Sequence, residues 1–568
     1  MTNNLGDPYP TPHMKHHSAF VQALQRIVGR ANVLTDSSAT RPFRSGFRCG
    51  GGSALAVARP RSLVEYWRVL QTCIAANKVI IIQAANTGLT GGSTPFGDDY
   101  DRDVVVVSTR YMSGLHLIDN ARQVICLPGT TLFELEEALR PHAREPHSVI
   151  GSSCIGASVV GGVCNNSGGA LIRRGPAYTQ LALYAQLGDG GHLHLVNHLG
   201  VKLGREPEEI LGHLERGEFR ASDIEHDPVL QASAADYVQR VRDIDSASPA
   251  RFNADREHLC GASGSAGRVA VFAVRLDTFP KDEETRVFYV GTNDPMELTT
   301  LRRHVLANFE NLPVAGEYLH REMFGIAAKF GKDTFLAIRW LGTRRLPSLF
   351  RLKARFGADR AERLLQKVSA LLPNPLPARM REFHERFEHH LILKMGGAGI
   401  GEAAQHLSAV FPSASGDFFR CTGDEAAKAF LHRFVAAGAA IRYGAVHHRE
   451  VEDILALDIA LKRNDRHWFE TLPEDIRAQI RHALYYGHFF CHVFHQDYVV
   501  RKGCDVETLK KRLCELFDAR GAEYPAEHNV GHLYRAKPAL EAFYRELDPT
   551  NTFNPGIGIT SKVKDWEK

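Results

Sequence analysis

The chain has 568 residues, too many for a single hydrophobic core, so two or three domains are expected. Hydrophobic residues make up 44% and charged residues 24%, the balance of a soluble globular protein, and a net charge of +4 implies no polyanionic partner. Ten scattered cysteines without a CxxC pair argue against a disulfide framework and for reduced thiols in a cytosolic setting; no run of about 18 apolar residues is present to span a bilayer.

Residues 1–17 are polar and Pro-rich, lack the apolar stretch of a secretory signal, and read as a flexible arm. Apolar spacing predicts a helix over Ser18–Val28, a short strand over Ala54–Ala58, and a helix opened by Ser62-Leu63-Val64-Glu65 that runs towards Ala76. Val79-Ile80-Ile81-Ile82 is β-branched, is closed by small residues, and reads as a buried strand. The loop that follows, Gln83 to Pro95, mixes three glycines with four hydroxylic residues. Such a loop lets backbone N–H groups converge on a ligand phosphate. Val104–Val107 and Gln123–Leu127 read as further strands, and Leu132–Leu139 as an amphipathic helix.

Gly151 to Gly175 is a second small-residue cluster, too rich in Gly, Ser and Asn for a packed helix. Ile155, Val159, Val160 and Val163 are spaced through it as anchors, which suits backbone pressed against a flat ligand. Residues 200–250 read as polar loops, and Gly264–Leu276 as a glycine turn feeding a strand. Arg339 to Lys367 carries nine basic residues against Asp359 and Glu362, interleaved with Trp340, Leu346, Phe350 and Phe356. That pattern fits a solvated basic face or docking on an anionic leaflet; no recognised nucleic-acid module surrounds it. Asp424–Ile441 reads as one helix, and Arg433 and Arg442 are the candidates for bidentate recognition of a carboxylate.

Tyr485 to Asp497 holds three histidines. On a helix His488, His492 and His495 fall at i, i+4 and i+7; on a single strand His488 and His492 share a face and His495 lies opposite. Imidazoles at this density are metal ligands, proton carriers or packed core groups. Glu527-His528, in a turn framed by Pro525 and Gly531, is a candidate acid/base and ligand pair.

Ala84, Ala85, Asn86, Thr87 and Gly88, with Gly92 and Ser93, resemble the pyrophosphate loop of the vanillyl-alcohol-oxidase class of FAD proteins. Gly151, Ser158, Asn166, Gly168 and Val271 match the class segments that line the flavin and diphosphate, although Arg173-Arg174-Gly175 stands where Arg-Tyr-Gly is common. The spacing of His488 and His495, and the pair Glu527-His528, resemble the metal and catalytic elements of FAD-linked D-2-hydroxyacid dehydrogenases. Here Phe490, Cys491 and His492 replace Gly-Asp-Gly, and Ala526 and Asn529 replace flanking glycines. From about residue 20 to 560, stretches such as QAANTGLT, REPHSVIGSSCIGAS, CNNSGG, VEDILALDIAL and PAEHNVGHLY resemble the bacterial quinone-dependent D-lactate dehydrogenase family.

The resemblance implies an α+β protein: a PCMH-type FAD-binding domain of two α/β subdomains over 18–276, a cap over 277–519 containing the basic segment 339–367, and a C-terminal segment 520–568 that returns to the FAD domain. It further implies non-covalent FAD, in keeping with the absence of His and Cys from Gln83–Ser93. His528 would be the base for oxidation of D-lactate, with Glu527 beside it. Arg433 or Arg442 would hold the substrate carboxylate, and His488, His495 and Glu527 would bind a divalent metal. Electrons would pass to a membrane quinone, with the enzyme peripheral on anionic lipids at the cytoplasmic face of the inner membrane and no nucleic acid as partner. Glycolate or 2-hydroxyglutarate are the alternative substrates; a non-catalytic peripheral membrane protein would have no use for two Gly-rich cofactor loops. A nicotinamide enzyme would need G-x-G-x-x-G between strand and helix, and Met395–Gly401 lacks the required third glycine.

Overall fold

The computed structural model describes residues 12–148, 155–341 and 358–567. The chain begins with a small sheet in the order Val33–Leu34, Ala56–Ala58, Val104–Ser108 and Val79–Gln83, whose last three strands are parallel. Every residue of Ala56–Ala58 and of Val104–Ser108 is buried. Parallel strands are covered on both faces, which is why these runs are apolar without alternation. Helix Leu63–Ala75 lays Tyr66, Trp67, Val69 and Leu70 onto the core. The Ser62 hydroxyl accepts the Glu65 N–H (3.1 Å), but the Glu65 carboxylate accepts the Arg61 N–H (2.7 Å), so the capping box is only half closed. The first helix spans Pro12–Val28 and so begins inside the stretch expected to be a flexible arm. Proline suits a first helical turn because its missing N–H would have had no partner there. Phe20, Leu24 and Val28 then bury one face.

A five-stranded antiparallel sheet follows, in the order Leu115–Ile118, Gln123–Cys126, Ala270–Asp277, Ala182–Leu187 and Leu193–Asn197. Helix Leu132–Leu139 has a closed capping box between Thr131 and Glu134. Two departures from expectation lie nearby. The stretch 200–250 contains helices Pro207–Arg216 and Tyr237–Arg242. The second glycine cluster contains a short helix, Val159–Cys164, because the Ser158 hydroxyl caps the Gly161 N–H (3.1 Å) and Val159, Val160 and Val163 are buried. The chain end comes back to the first sheet: Ile80 N–H donates to the Thr552 carbonyl and Asn554 N–H to the Ile80 carbonyl, both at 2.9 Å.

The middle of the chain forms one seven-stranded antiparallel sheet, ordered Gly416–Arg420, Thr285–Thr292, His389–Gly396, Ala315–His320, Ile480–His488, Val493–Arg501 and Val451–Ala460. Helices Arg321–Phe330 and Ala436–Val446 pack on one face through Met323, Phe324, Ala439 and Ala440. The region expected to be a single helix over Asp424–Ile441 is two, Gly423–Phe434 and Ala436–Val446, broken at buried Val435. Helices Lys332–Leu341 and Ala358–Ala370 take up the two ends of the basic segment. Arg344, Arg345, Arg351, Lys353 and Arg355 lie outside the described residues, as does Gly151. No helix among the described residues is long and apolar enough to cross a membrane.

Candidate active site

Register builds the site. Glu317 pairs with His488 across neighbouring strands, Tyr486 pairs with His495, and His495 pairs with Asp458. Residues directly opposite share a face of an antiparallel sheet. Asp497, two residues beyond His495, is on that face too. One surface therefore carries Glu317, Tyr486, His488, His495, Asp497 and Asp458. Neither helix nor lone strand was the right frame for the three histidines. They lie on a hairpin whose turn, Phe489–Cys491, leads to His492 at φ 54. The turn brings His488 and His495 together, their rings 5.4 Å apart, and sends His492 elsewhere. His492 is buried against the Lys462 carbonyl, and burial holds its imidazole well below the usual range.

The loop Tyr524–His532 completes the cluster. His488 Nε2 and His495 Nε2 lie 3.1 and 3.9 Å from Glu527 Oε2. Their Nδ1 atoms face carboxylates: Glu317 Oε1 at 2.6 Å and Asp458 Oδ1 at 3.3 Å. A carboxylate behind each imidazole fixes its tautomer and aims the other nitrogen inward, the outer shell of a metal-binding histidine. Ligand atoms of His488, His495 and Glu527 fall within 4.8 Å of one another. Two imidazoles and a carboxylate suit a divalent transition metal, so the residues present fit such an ion. Burial opposes charge on His488, yet Glu317 and Glu527 overcome it and push the imidazole up to about 10. Burial likewise works against the Glu527 carboxylate, but His488 and Arg251 hold it well below its ordinary value.

His528 is oriented by a residue that the sequence did not single out. Its Nδ1 lies 2.9 Å from Asp458 Oδ2, and the same oxygen accepts the backbone N–H of Glu527 (2.7 Å) and of His528 (3.2 Å). Asp458 is 5% exposed and the His528 side chain 32% exposed. One edge of the imidazole is thus fixed by a buried carboxylate while the ring stays within reach of a ligand. Burial works against its charge, but Asp458 prevails and raises its pKa.

The two candidate arginines part company. Arg433 Nε is 2.8 Å from Glu317 Oε2, and its guanidinium stacks 4.7 Å from the Tyr486 ring centre, so it belongs to the cluster. Arg442 does not. It pairs with Asp333 and with Glu362 (2.7 Å), one on each helix at the ends of the basic segment. Its fork already holds carboxylates of the protein, which corrects the expectation that it serves substrate. Arg251, missed in the sequence, is 2% exposed and pairs with Glu527.

The cofactor loops meet this cluster. Among the described residues, no backbone N–H from Ala84 to Ser93 donates a hydrogen bond within the protein, although Gly91 is buried and most of its neighbours are half-buried. Unpaired amides in a row are costly unless a ligand satisfies them. A Cβ on Gly88 would meet nothing within 4 Å, whereas one on Gly92 would come 3.0 Å from Asn529 Nδ2. Asn86, at φ 54, ties the loop together by donating to the Ser45 carbonyl (2.9 Å) and accepting from the Ser93 hydroxyl (3.0 Å). Asn166 donates to the His258 carbonyl (2.9 Å) and leaves a buried Oδ1 without a partner. A Cβ on Gly168 would sit 2.6 Å from Glu527 Oε1, so the second small-residue segment touches the candidate ligand set. Val271 is buried beside a bulge in its strand. These loops fit the diphosphate and the ring of FAD.

Fold and site together define an FAD-binding oxidoreductase of the PCMH type. Solved structures with this architecture include p-cresol methylhydroxylase (TM-score 0.59, 12% identity, 96% of this chain and 97% of that one) and 4-ethylphenol oxidase from Gulosibacter chungangensis (TM-score 0.57, 12% identity, 98% of each). The FAD binding domain family matches residues 54–194, and the family described as D-lactate dehydrogenase, membrane binding, matches residues 287–566. The quinone-dependent D-lactate dehydrogenase of Escherichia coli (strain K12) is 57% identical over 97% of this chain and 98% of its own. That of Haemophilus influenzae is 55% identical over 96% and 99%. The chain belongs to the family of quinone-dependent D-lactate dehydrogenases.

Proposed function

We propose that this chain oxidises D-lactate to pyruvate, with FAD as the immediate acceptor and a membrane quinone as the onward one, and that His528 is the base. The observation that carries the reading is the Asp458–His528 pair beside the His488–His495–Glu527 set, whose Glu527 lies against the small-residue segment at Gly168. Bound FAD supplies the hydride acceptor, and a bound divalent ion would polarise the substrate hydroxyl. His528 takes the hydroxyl proton on its ring nitrogen remote from Asp458, which leaves the substrate oxygen ready to form the ketone. Asp458 keeps the imidazole in one tautomer and stabilises the charge it acquires. Glu317 and Asp458 orient His488 and His495.

Docking on the membrane is read from the helices Lys332–Leu341 and Ala358–Ala370. Trp340 is 68% exposed, and on helix Ala358–Ala370 the exposed Leu364 and Val368 stand next to Arg363 and Lys367, with Leu371 (87% exposed) just beyond. Basic residues among apolar ones favour an anionic leaflet, at about 1 kcal/mol per basic residue near the surface. We place the protein as a peripheral enzyme on the cytoplasmic face of the inner membrane. Stopped-flow bleaching of bound flavin with D- and L-hydroxyacids tests the activity. Bleaching by D-lactate and not L-lactate is expected; preference for glycolate or D-2-hydroxyglutarate would overturn the substrate.

A further inference from the structure

The cluster under the proposed base contains more cations than a small acid could use, yet almost all of them are taken. Arg251 is paired with Glu527, Arg433 with Glu317, and His488 lies between the same two carboxylates. A substrate carboxylate needs a cation whose charge is not already answered. Arg48 supplies one: it is exposed and makes no hydrogen bond or ion pair among the described residues.

Its position is built, not accidental. Ser45 and Gly51 form an antiparallel bridge, and Gly46 N–H donates to the Gly50 carbonyl (3.0 Å), so residues 45–51 are a tight hairpin with Phe47 and Arg48 at its tip. The hairpin is pressed on the cofactor loop. A Cβ on Gly50, at φ +96, would lie 2.5 Å from Thr94 Oγ1 and 3.1 Å from Gly91 Cα, and Cys49 Sγ is 3.4 Å from the Leu89 carbonyl. The same loop also carries the His528 segment, where His532 N–H donates to the Thr90 carbonyl (3.0 Å). The hairpin and the His528 segment thus meet on one loop, Leu89 to Gly91. The Arg48 guanidinium is close enough to act electrostatically on Asp497. The same guanidinium also bears on His528 and Tyr486.

We infer that Arg48, on a hairpin of the FAD-binding part and not on the cap, is the residue that grips the carboxylate of the 2-hydroxyacid substrate. The inference rests on the D-2-hydroxyacid reading above. A planar fork matches a carboxylate bidentately, and a grip from the cofactor side ties substrate orientation to the cofactor loop itself.

The test compares Arg48→Met and Arg48→Lys with wild type, each FAD-loaded, on D-lactate and on D-lactamide, which keeps the alcohol and methyl and lacks the charge. Arg48→Met is expected to lower kcat/KM for D-lactate roughly 10- to 100-fold, the size of a lost charge-assisted pair, mainly through KM, while D-lactamide is little changed. Inhibition by pyruvate should weaken by a similar factor, and Arg48→Lys should recover part of the loss. Flavin content and melting temperature should match wild type. Equal losses on both substrates, or an unchanged preference for D-lactate and unchanged pyruvate inhibition, would overturn the inference. A wild-type flavin that D-lactate does not bleach would instead bring down the activity reading and the inference with it.

Discussion

Asp458 Oδ2 accepts three hydrogens at once, from the His528 ring and from the backbone amides of Glu527 and His528. A single carboxylate thus fixes both the tautomer of the proposed base and the loop that carries it. His528→Ala should leave FAD bound and slow flavin reduction by D-lactate by roughly 100-fold or more, the size of a lost general base. Asp458→Asn, which keeps an acceptor for the loop amides, should cost a comparable factor, and the double variant should be little worse than His528→Ala alone, because residues acting as a unit are not additive. Losses that multiply in the double variant would separate the two roles.

The metal is the second expectation. His495→Ala removes a candidate ligand without disturbing the buried Arg251–Glu527 pair, whereas Glu527→Gln leaves Arg251 uncompensated at a structural cost of about 3–5 kcal/mol. The His495 variant is therefore the clean one. Metal analysis of the purified wild type should find one divalent ion per chain, with affinity reduced roughly 100-fold or more by His495→Ala, since even outer partners are worth 10- to 100-fold. A wild type that contains no metal and whose flavin reduction is indifferent to a chelator would remove the ion from the site.

Gly88 gives the direct probe of the phosphate loop. A Cβ there meets no protein atom within 4 Å, so Gly88→Val should fold normally and lose flavin on purification. Gly92→Val tests less, because its Cβ meets Asn529, which donates to Asn165 (2.6 Å) beside the second cofactor segment. Acid denaturation of the wild type followed by filtration should release all yellow colour, as non-covalent FAD requires. Full flavin occupancy in Gly88→Val would move the phosphates elsewhere.

What was legible and what was not divide along one line. A loop that binds through its main chain must be written in small residues, so Ala84–Ser93 announces itself locally. The seven-residue interval between His488 and His495 also survives in the sequence, but the frame was misjudged, because a turn made of Phe489, Phe490 and Cys491 looks like strand or helix. Asp458, Glu317 and Arg251 carry no local mark. Glu317 meets His488 from 171 residues away and Arg251 meets Glu527 from 276, and only sheet register and loop packing bring them together. In a string, Asp458 is one more acid in a polar-apolar strand.

Buried histidines outside the site set an acid limit on the cap. Burial pushes His389 and His432 down to about 3 and holds His390 well below its usual range, with neither His390 ring nitrogen partnered. His384 and His320 face the same group and press in the same direction. In the unfolded chain these imidazoles take protons near pH 6.5, while in the fold they stay neutral down to about pH 3. The unfolded state then binds more protons, so stability falls as pH drops below about 6.5, by about 1.4 kcal/mol per pH unit for each group. His432→Leu should flatten the fall in melting temperature between pH 7 and pH 5. An unchanged slope would put the acid sensitivity elsewhere.

Arg442 makes the sharpest contrast with the sequence reading. A carboxylate-binding arginine and a structural one look alike in a string; here the fork spans Asp333 on one helix and Glu362 on the other. Its side chain is 3% exposed, and Glu362 is 7% exposed. Removing it takes away a cation that both carboxylates share, and breaking such a pair costs about 3–5 kcal/mol when it is buried. Arg442→Met should therefore lower the melting temperature, and it should weaken co-sedimentation with anionic vesicles by loosening the two helices that carry Trp340, Leu364 and Val368. KM for D-lactate with a soluble dye, measured per bound flavin, should stay at the wild-type value, because Arg442 pairs with Asp333 and Glu362 and, among the described residues, with no member of the His488–Glu527–His528 cluster. A large rise in KM with unchanged stability would return Arg442 to the substrate, and the helices would then need another tie.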